Sequence, residues 1–138
     1  MRVIPDEAWA VLTIWQESRG ESHAGRVAVA EVIRNRTLRH YASDGTVAST
    51  CLRPLQFSGW NTKDPNRVPS AKLDDTDPMV ADCLAAWREA QAGSNLAKGA
   101  VLYYSPLGVA APPAWAVNCV QVATIGHHLF FIPKGFTP

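Results

Sequence analysis

The sequence predicts an α+β fold: a helical core of about three main helices, a long loop region, and a small antiparallel sheet in the C-terminal third. Three observations predict it. Three segments carry apolar residues at helical spacing, and the first and third also carry helix-start signals. Residues 40 to 77 are crowded with turn formers, and the stretch from Gly99 to Pro133 holds no Asp, Glu, Lys or Arg and breaks into short apolar runs.

Pro5, Asp6 and Glu7 place a proline and two acids at a helix start, and Ala8, Val11, Leu12 and Trp15 follow at i, i+3, i+4 and i+7. A first helix is expected over about Asp6 to Ser18, with Gly20 supplying a left-handed turn that leaves Glu17 in the last helical turn. A second helix is expected over 22–39. Ala24, Val27, Ala28, Glu31 and Val32 lie on one of its faces, and Arg26, Arg34, Arg36 and Arg39 supply a polar one. Gly45, Pro54, Gly59, Asn61, Pro65, Asn66 and Pro69 make the next segment a loop region. Thr76, Asp77 and Pro78 give a cap and an N1 proline to a third helix of about 78–92, striped by Val80, Cys83, Leu84 and Trp87. Strands are expected near 100–105, 115–123 and 128–132.

At 138 residues, 47% of them hydrophobic, the chain reads as one domain over 1–138 whose core needs neither disulfides nor a metal. Thirteen basic against twelve acidic residues leave a net charge of +1, which excludes the basic footprint of a nucleic-acid binder. Cys51, Cys83 and Cys119 are odd in number and widely spaced, and read as buried free thiols. The first nine residues lack the apolar core of a secretion signal. The prolines, glycines and histidines of the charge-free tail argue against membrane insertion.

Three polar clusters carry candidate chemistry. In the first, Trp15-Gln16-Glu17-Ser18-Arg19-Gly20-Glu21, a carboxyl is held against the apolar body of a helix, where partial burial favours the protonated form that a general acid needs. Ordinary solvation of Glu17 is the competing reading. Glu21 is equally open to a structural role, since an acid at a helix start meets the helix dipole. In the second, Gln56-Phe57-Ser58-Gly59-Trp60 sets an amide, a hydroxyl and two aromatics in one loop, a combination suited to stacking on sugar rings and reading their polar groups. A loop anchored by two buried aromatics explains the same residues. The third cluster, Tyr103-Tyr104-Ser105-Pro106, then Pro113-Ala114-Trp115, then Gly126-His127-His128-Leu129-Phe130, offers the walls of a groove. Adjacent strand histidines face opposite sides, so they are not read as a metal pair, and no cofactor or metal is expected.

In order and spacing these residues resemble the SleB-type cell-wall hydrolases, spore-cortex-lytic enzymes and related phage endolysins that degrade peptidoglycan. The resemblance rests on Glu17-Ser18-Arg19-Gly20-Glu21, then Gly25, Ala28, Val29, Ala30, Val32, Ile33, Asn35 and Arg36. It continues through Gln56-Phe57-Ser58 with Trp60, Gly99-Ala100 with Tyr103-Tyr104, Pro113 with Trp115, and Gly126 with His128 and Phe130. Gln16 and Ser18 stand where the family commonly has small residues. The resemblance implies a lysozyme-like helical core with a small sheet, and Glu17 as the catalytic acid. It also implies a monomer acting on peptidoglycan glycan strands, with no nucleic-acid partner. A phage endolysin held in the host bacterial cytoplasm until a holin-type route releases it is the expected setting.

The expected reaction is cleavage of the β-1,4 bond between N-acetylmuramic acid and N-acetylglucosamine, with Glu17 protonating the leaving oxygen. Catalytic roles fall to Glu17 and Glu21. Substrate binding falls to Gln56, Phe57, Ser58, Trp60, Tyr103, Tyr104, Trp115 and His128. A lytic transglycosylase needs no second carboxylate and is favoured over a hydrolytic muramidase, for which Glu21, Asp44, Asp64 or Asp74 would have to activate water. Two further readings are a stem-peptide amidase using Cys51 or Cys119 with His127 or His128, and a glycan-binding module without catalysis.

Overall fold

The computed structural model describes residues 5–53, 57, 60 and 76–137. Helix α1 spans Asp6–Ser18, with Pro5 extended before it and the two acids in its first turn. It ends in a right-handed turn at Arg19, whose N–H reaches the Trp15 carbonyl, and the Glu21 N–H bonds the Ser18 carbonyl. The expected left-handed Gly20 is therefore corrected: Gly20 is not among the positive-φ glycines, because this tight turn carries the chain to the next cap without it.

Helix α2 spans His23–Arg39, capped by the Ser22 hydroxyl, which accepts from the Gly25 N–H, and closed by His40 in the left-handed region. Its expected polar face is only partly real. Arg26 and Arg36 are buried, because α2 is wrapped on most sides and needs cations there to satisfy main-chain and carboxylate oxygens. The Arg26 Nε donates to Asp82, and the Arg36 Nε donates to the Val101 carbonyl at 2.6 Å. Arg39 remains exposed.

A short helix, α3 (Val47–Leu52), lies inside the expected loop region. Thr46 caps it by accepting from the Ser49 N–H, and Asp44 accepts from the N–H and hydroxyl of Thr46 and the hydroxyl of Ser49. Helix α4 spans Pro78–Gln91, its N-terminus capped by the Asp77 carboxylate.

Three strands, β1 (Leu102–Tyr104), β2 (Cys119–Ile125) and β3 (His128–Pro133), form an antiparallel sheet in the order β1-β3-β2. The second strand starts later than expected because residues 114–118 form a 3₁₀ turn. The fold is α+β, as the sequence predicts. Ile14, Val29, Ile33, Cys51, Phe57 and Trp87 join α1, α2, α3 and α4 into one buried cluster. Ala28 and Val32 of α2 meet Ala97, Ala100 and Phe130 in a second, so α2 bridges the helices to the sheet. Cys51 and Cys83 are buried and Cys119 half-buried. No helix among the described residues is long and apolar enough to cross a membrane.

Candidate active site

An open cleft of about 280 Å³ lies where the α1–α2 junction meets the β2–β3 turn. Glu17, Ser18, Gly20 and Glu21 line one side, and Ser105, Leu107, His127 and His128 the other. Helix α1 delivers Glu17 because its last turn faces the sheet. The Tyr103 hydroxyl donates a hydrogen bond to the Glu17 carboxylate. Burial first, then the Glu17 charge, pushes the Tyr103 phenol well above its usual range, so it stays protonated and a donor. The buried Arg36 guanidinium adds positive charge facing both Glu17 and Tyr103.

Glu21 is held differently. Its Oε1 accepts from the His127 N–H at 2.7 Å, and its Oε2 meets the His127 Nδ1 at 2.7 Å. The His128 Nδ1 stands 3.7 Å from Oε1. Burial raises the Glu21 pKa, but the two His127 hydrogen bonds and the facing imidazoles outweigh it and hold the carboxyl below its ordinary value. The expectation that the two histidines face opposite sides is corrected, because His127 sits in the turn before β3 begins and is free of strand alternation. His128 is buried, which lowers its pKa against the pull of Glu21. Among the described residues its Nδ1 has no hydrogen-bond partner.

The remaining candidates divide. Tyr103 and His128 belong to the cleft side of the sheet, with ring centroids 4.9 Å apart, and both touch the Phe130 ring. Tyr104, next along β1, points to the other face, where it stacks on Phe131 and meets Trp115 edge-on. Tyr103 and Tyr104 therefore do not wall one groove. Phe57 is corrected from a sugar-stacking residue to a core residue: it is 1% exposed, beneath the Arg36 guanidinium. Trp60 is half-buried, donates from Nε1 to the Thr13 hydroxyl at 2.7 Å, and meets Trp9 edge-on. Gln56, Ser58, Asp64 and Asp74 lie outside the described residues. Arg19 folds back over the Trp15 ring.

Ser105 lines the cleft as the third cluster suggested, whereas sequence reasoning missed Leu107 as a cleft residue, and Arg36 and His127 as partners of the two acids. Only the Gly126-His127 turn hinted at the last, since a glycine there lets a backbone N–H approach a carboxylate. No group of three His, Cys, Asp or Glu side chains among the described residues is arranged to hold a metal ion.

The fold and cleft define an α+β domain whose acidic groove opens where helices meet a sheet. Residues 20–131 match the profile of the Cell Wall Hydrolase family, and the chain belongs to that family. Its fold matches the catalytic domain of the germination-specific lytic transglycosylase SleB from Bacillus anthracis. The TM-score is 0.71 and the identity 27%, over 92% of this chain and 93% of the other. It also matches the catalytic domain of the Bacillus cereus SleB protein, with a TM-score of 0.72 and 26% identity over 92% and 89%. No curated protein sequence matches the chain significantly.

Proposed function

We propose that the protein cleaves peptidoglycan glycan strands at the β-1,4 bond between N-acetylmuramic acid and N-acetylglucosamine, as a lytic transglycosylase. The observation that carries the choice of reaction is the state of Glu21. A hydrolase needs a second carboxylate that can turn to a water or to the sugar, and a carboxylate pinned by its neighbours is poorly placed for either. Both Glu21 oxygens are occupied by His127, and its side chain is 9% exposed. Glu17 is the other acid lining the cleft among the described residues. The structural kinship with the SleB catalytic domain, a lytic transglycosylase, supports the same choice.

In this reading Glu17 donates its proton to the glycosidic oxygen as that bond breaks, which leaves positive charge at the muramyl C1. The Glu17 carboxylate then takes the proton of the muramyl C6 hydroxyl as that oxygen bonds to C1. The product is a 1,6-anhydro end, and Glu17 is protonated again. Holding the attacking hydroxyl in the same sugar makes the second step intramolecular, which replaces the need for an activated water. Tyr103 and Arg36 orient Glu17 and offset its charge, while His128, Ser105 and Leu107 form the opposite wall.

The thiol alternative fares worse. Burial pushes the Cys51 and Cys83 thiols up to about 12 and raises Cys119 as well, so none of them is a ready nucleophile. The test is mass spectrometry of fragments that the wild type and Glu17→Gln release from purified sacculi. Anhydro-muropeptides from the wild type alone are expected. Reducing-end disaccharides would establish hydrolysis, and free stem peptides would overturn the glycan-cleaving reading.

A further inference from the structure

Glu21 occupies a slot that two glycines keep open. A Cβ on Gly25 would stand 2.8 Å from the Glu21 Cβ, and one on Gly126 would stand 2.8 Å from its Oε1. Gly126 also has φ +56°, a left-handed turn that aims the next N–H at the carboxylate. Glu21 thus joins two parts of the chain 106 residues apart. We propose that Glu21 is a positioning residue: with His127 it latches the β2–β3 turn onto the α1–α2 junction, and through His128 and Tyr103 this latch sets the Glu17 carboxyl.

The path is continuous. The Glu21 Oε1 faces the His128 Nδ1 at 3.7 Å, and the side chains are 9% and 10% exposed. The His128 ring lies against Tyr103 at 4.9 Å and 60°. Tyr103 donates to Glu17. The charged and titratable groups near Glu21 are His127 and His128 from the turn and β3, Glu17 on the same side of the cleft, and Arg26 from α2, whose Nη1 donates to the Glu21 main-chain carbonyl. The latch works through hydrogen bonds, which an amide also makes. A glutamine at position 21 accepts from the His127 N–H and donates to Nδ1 of the His127 tautomer protonated at Nε2.

This inference rests on the reading of Glu17 as the acid. The experiment compares Glu21→Ala and Glu21→Gln with the wild type, by kcat and KM on soluble peptidoglycan oligomers and by the NMR resonances of the Tyr103 and His128 rings. In folded Glu21→Ala, kcat falls about 100-fold while KM changes little, because a misplaced acid loses the reaction without losing the substrate. The ring resonances move with it. In Glu21→Gln most of kcat returns, and so do the resonances. Equal losses in both variants, with one limb of the pH–rate profile gone, would make Glu21 a base and overturn the proposal. So would an Ala variant with normal kcat per folded molecule, or one with unmoved rings. A wild type that releases no glycan fragment removes the reading of Glu17 alone, and the ring resonances still decide whether the latch holds Tyr103.

Discussion

Two glutamates four residues apart sit in one cleft in opposite circumstances. Glu17 faces a protonated phenol and a guanidinium, whereas each oxygen of Glu21 is tied by one histidine, through its N–H and its ring. Their chemical roles follow from those partners. Replacing Glu17 by Gln keeps the shape and removes the proton, so release of fragments should fall by about 10²–10⁴-fold with an unchanged circular-dichroism spectrum. Activity near wild type in that variant would remove Glu17 as the acid. Cys119 lies on β2 with a raised pKa, and Cys119→Ser should leave fragment release unchanged, which a turbidity assay on sacculi reads directly. A total loss there would revive the thiol mechanism.

Among the elements, α2 carries the heaviest polar load. Glu31 is fully buried, yet it accepts from the Ser94 hydroxyl at 2.6 Å and from the N–H groups of Leu96 and Ala97 at 3.0 and 2.7 Å. It thereby fixes the connection between α4 and β1, the strand that delivers Tyr103. Glu31→Leu strands those donors in the core and should cost about 3 kcal/mol, since each unsatisfied buried group costs about 1–3 kcal/mol. Urea denaturation measures it, and a loss below about 1 kcal/mol would mean that the loop finds other acceptors. The β2–β3 turn is as demanding. Gly126→Ala adds a Cβ against Glu21 at a positive φ, and should lower activity more than stability because the strain falls on the cleft.

For the whole molecule, the joint between α2 and α4 makes stability depend on pH. Asp82, then Glu89, raise the His23 pKa against the opposing effect of burial. A raised histidine contributes stability in full below its unfolded value of about 6.5, and that contribution fades as pH climbs through its folded value. His128 acts in the opposite sense, because burial lowers its pKa and stability is lost as pH falls through the lowered value. The two trends overlap, so the test is the difference between variants. His23→Gln should lose Tm chiefly below about pH 6.5 and approach the wild type in alkali. An equal deficit at every pH would mean that His23 contributes by packing alone. Burial pushes the Asp82 pKa up, but His23 and Arg26 hold it below its ordinary value. Its contribution is therefore present above the usual carboxylate range and lost in strong acid.

The extent of α1, α2 and α4 was legible in the sequence because caps and apolar spacing act within a few residues: Asp77 before Pro78, two acids behind Pro5, and the apolar spacing of Ala24, Val27, Ala28 and Val32. The charge-free tail announced the sheet for the same reason, since period and turn formers are local. The position of Glu17 in the last turn of α1 was legible through its neighbours in the chain. Helix α3 was not, because a single capped turn among Gly, Ser and Thr has the composition of a loop. Nor was the sorting of the aromatics, since Phe57 is buried where the helices pack together and Tyr103 parts from Tyr104 according to which face of the sheet meets α2. Sequence by itself determined the order of the main elements and the place of Glu17 at the end of α1, because short-range hydrogen bonds and periodicity write both. Only the tertiary structure decided that Glu21 is bound by His127, 106 residues away, because such a pairing depends on how α2 and the sheet pack and leaves no periodic trace in the chain.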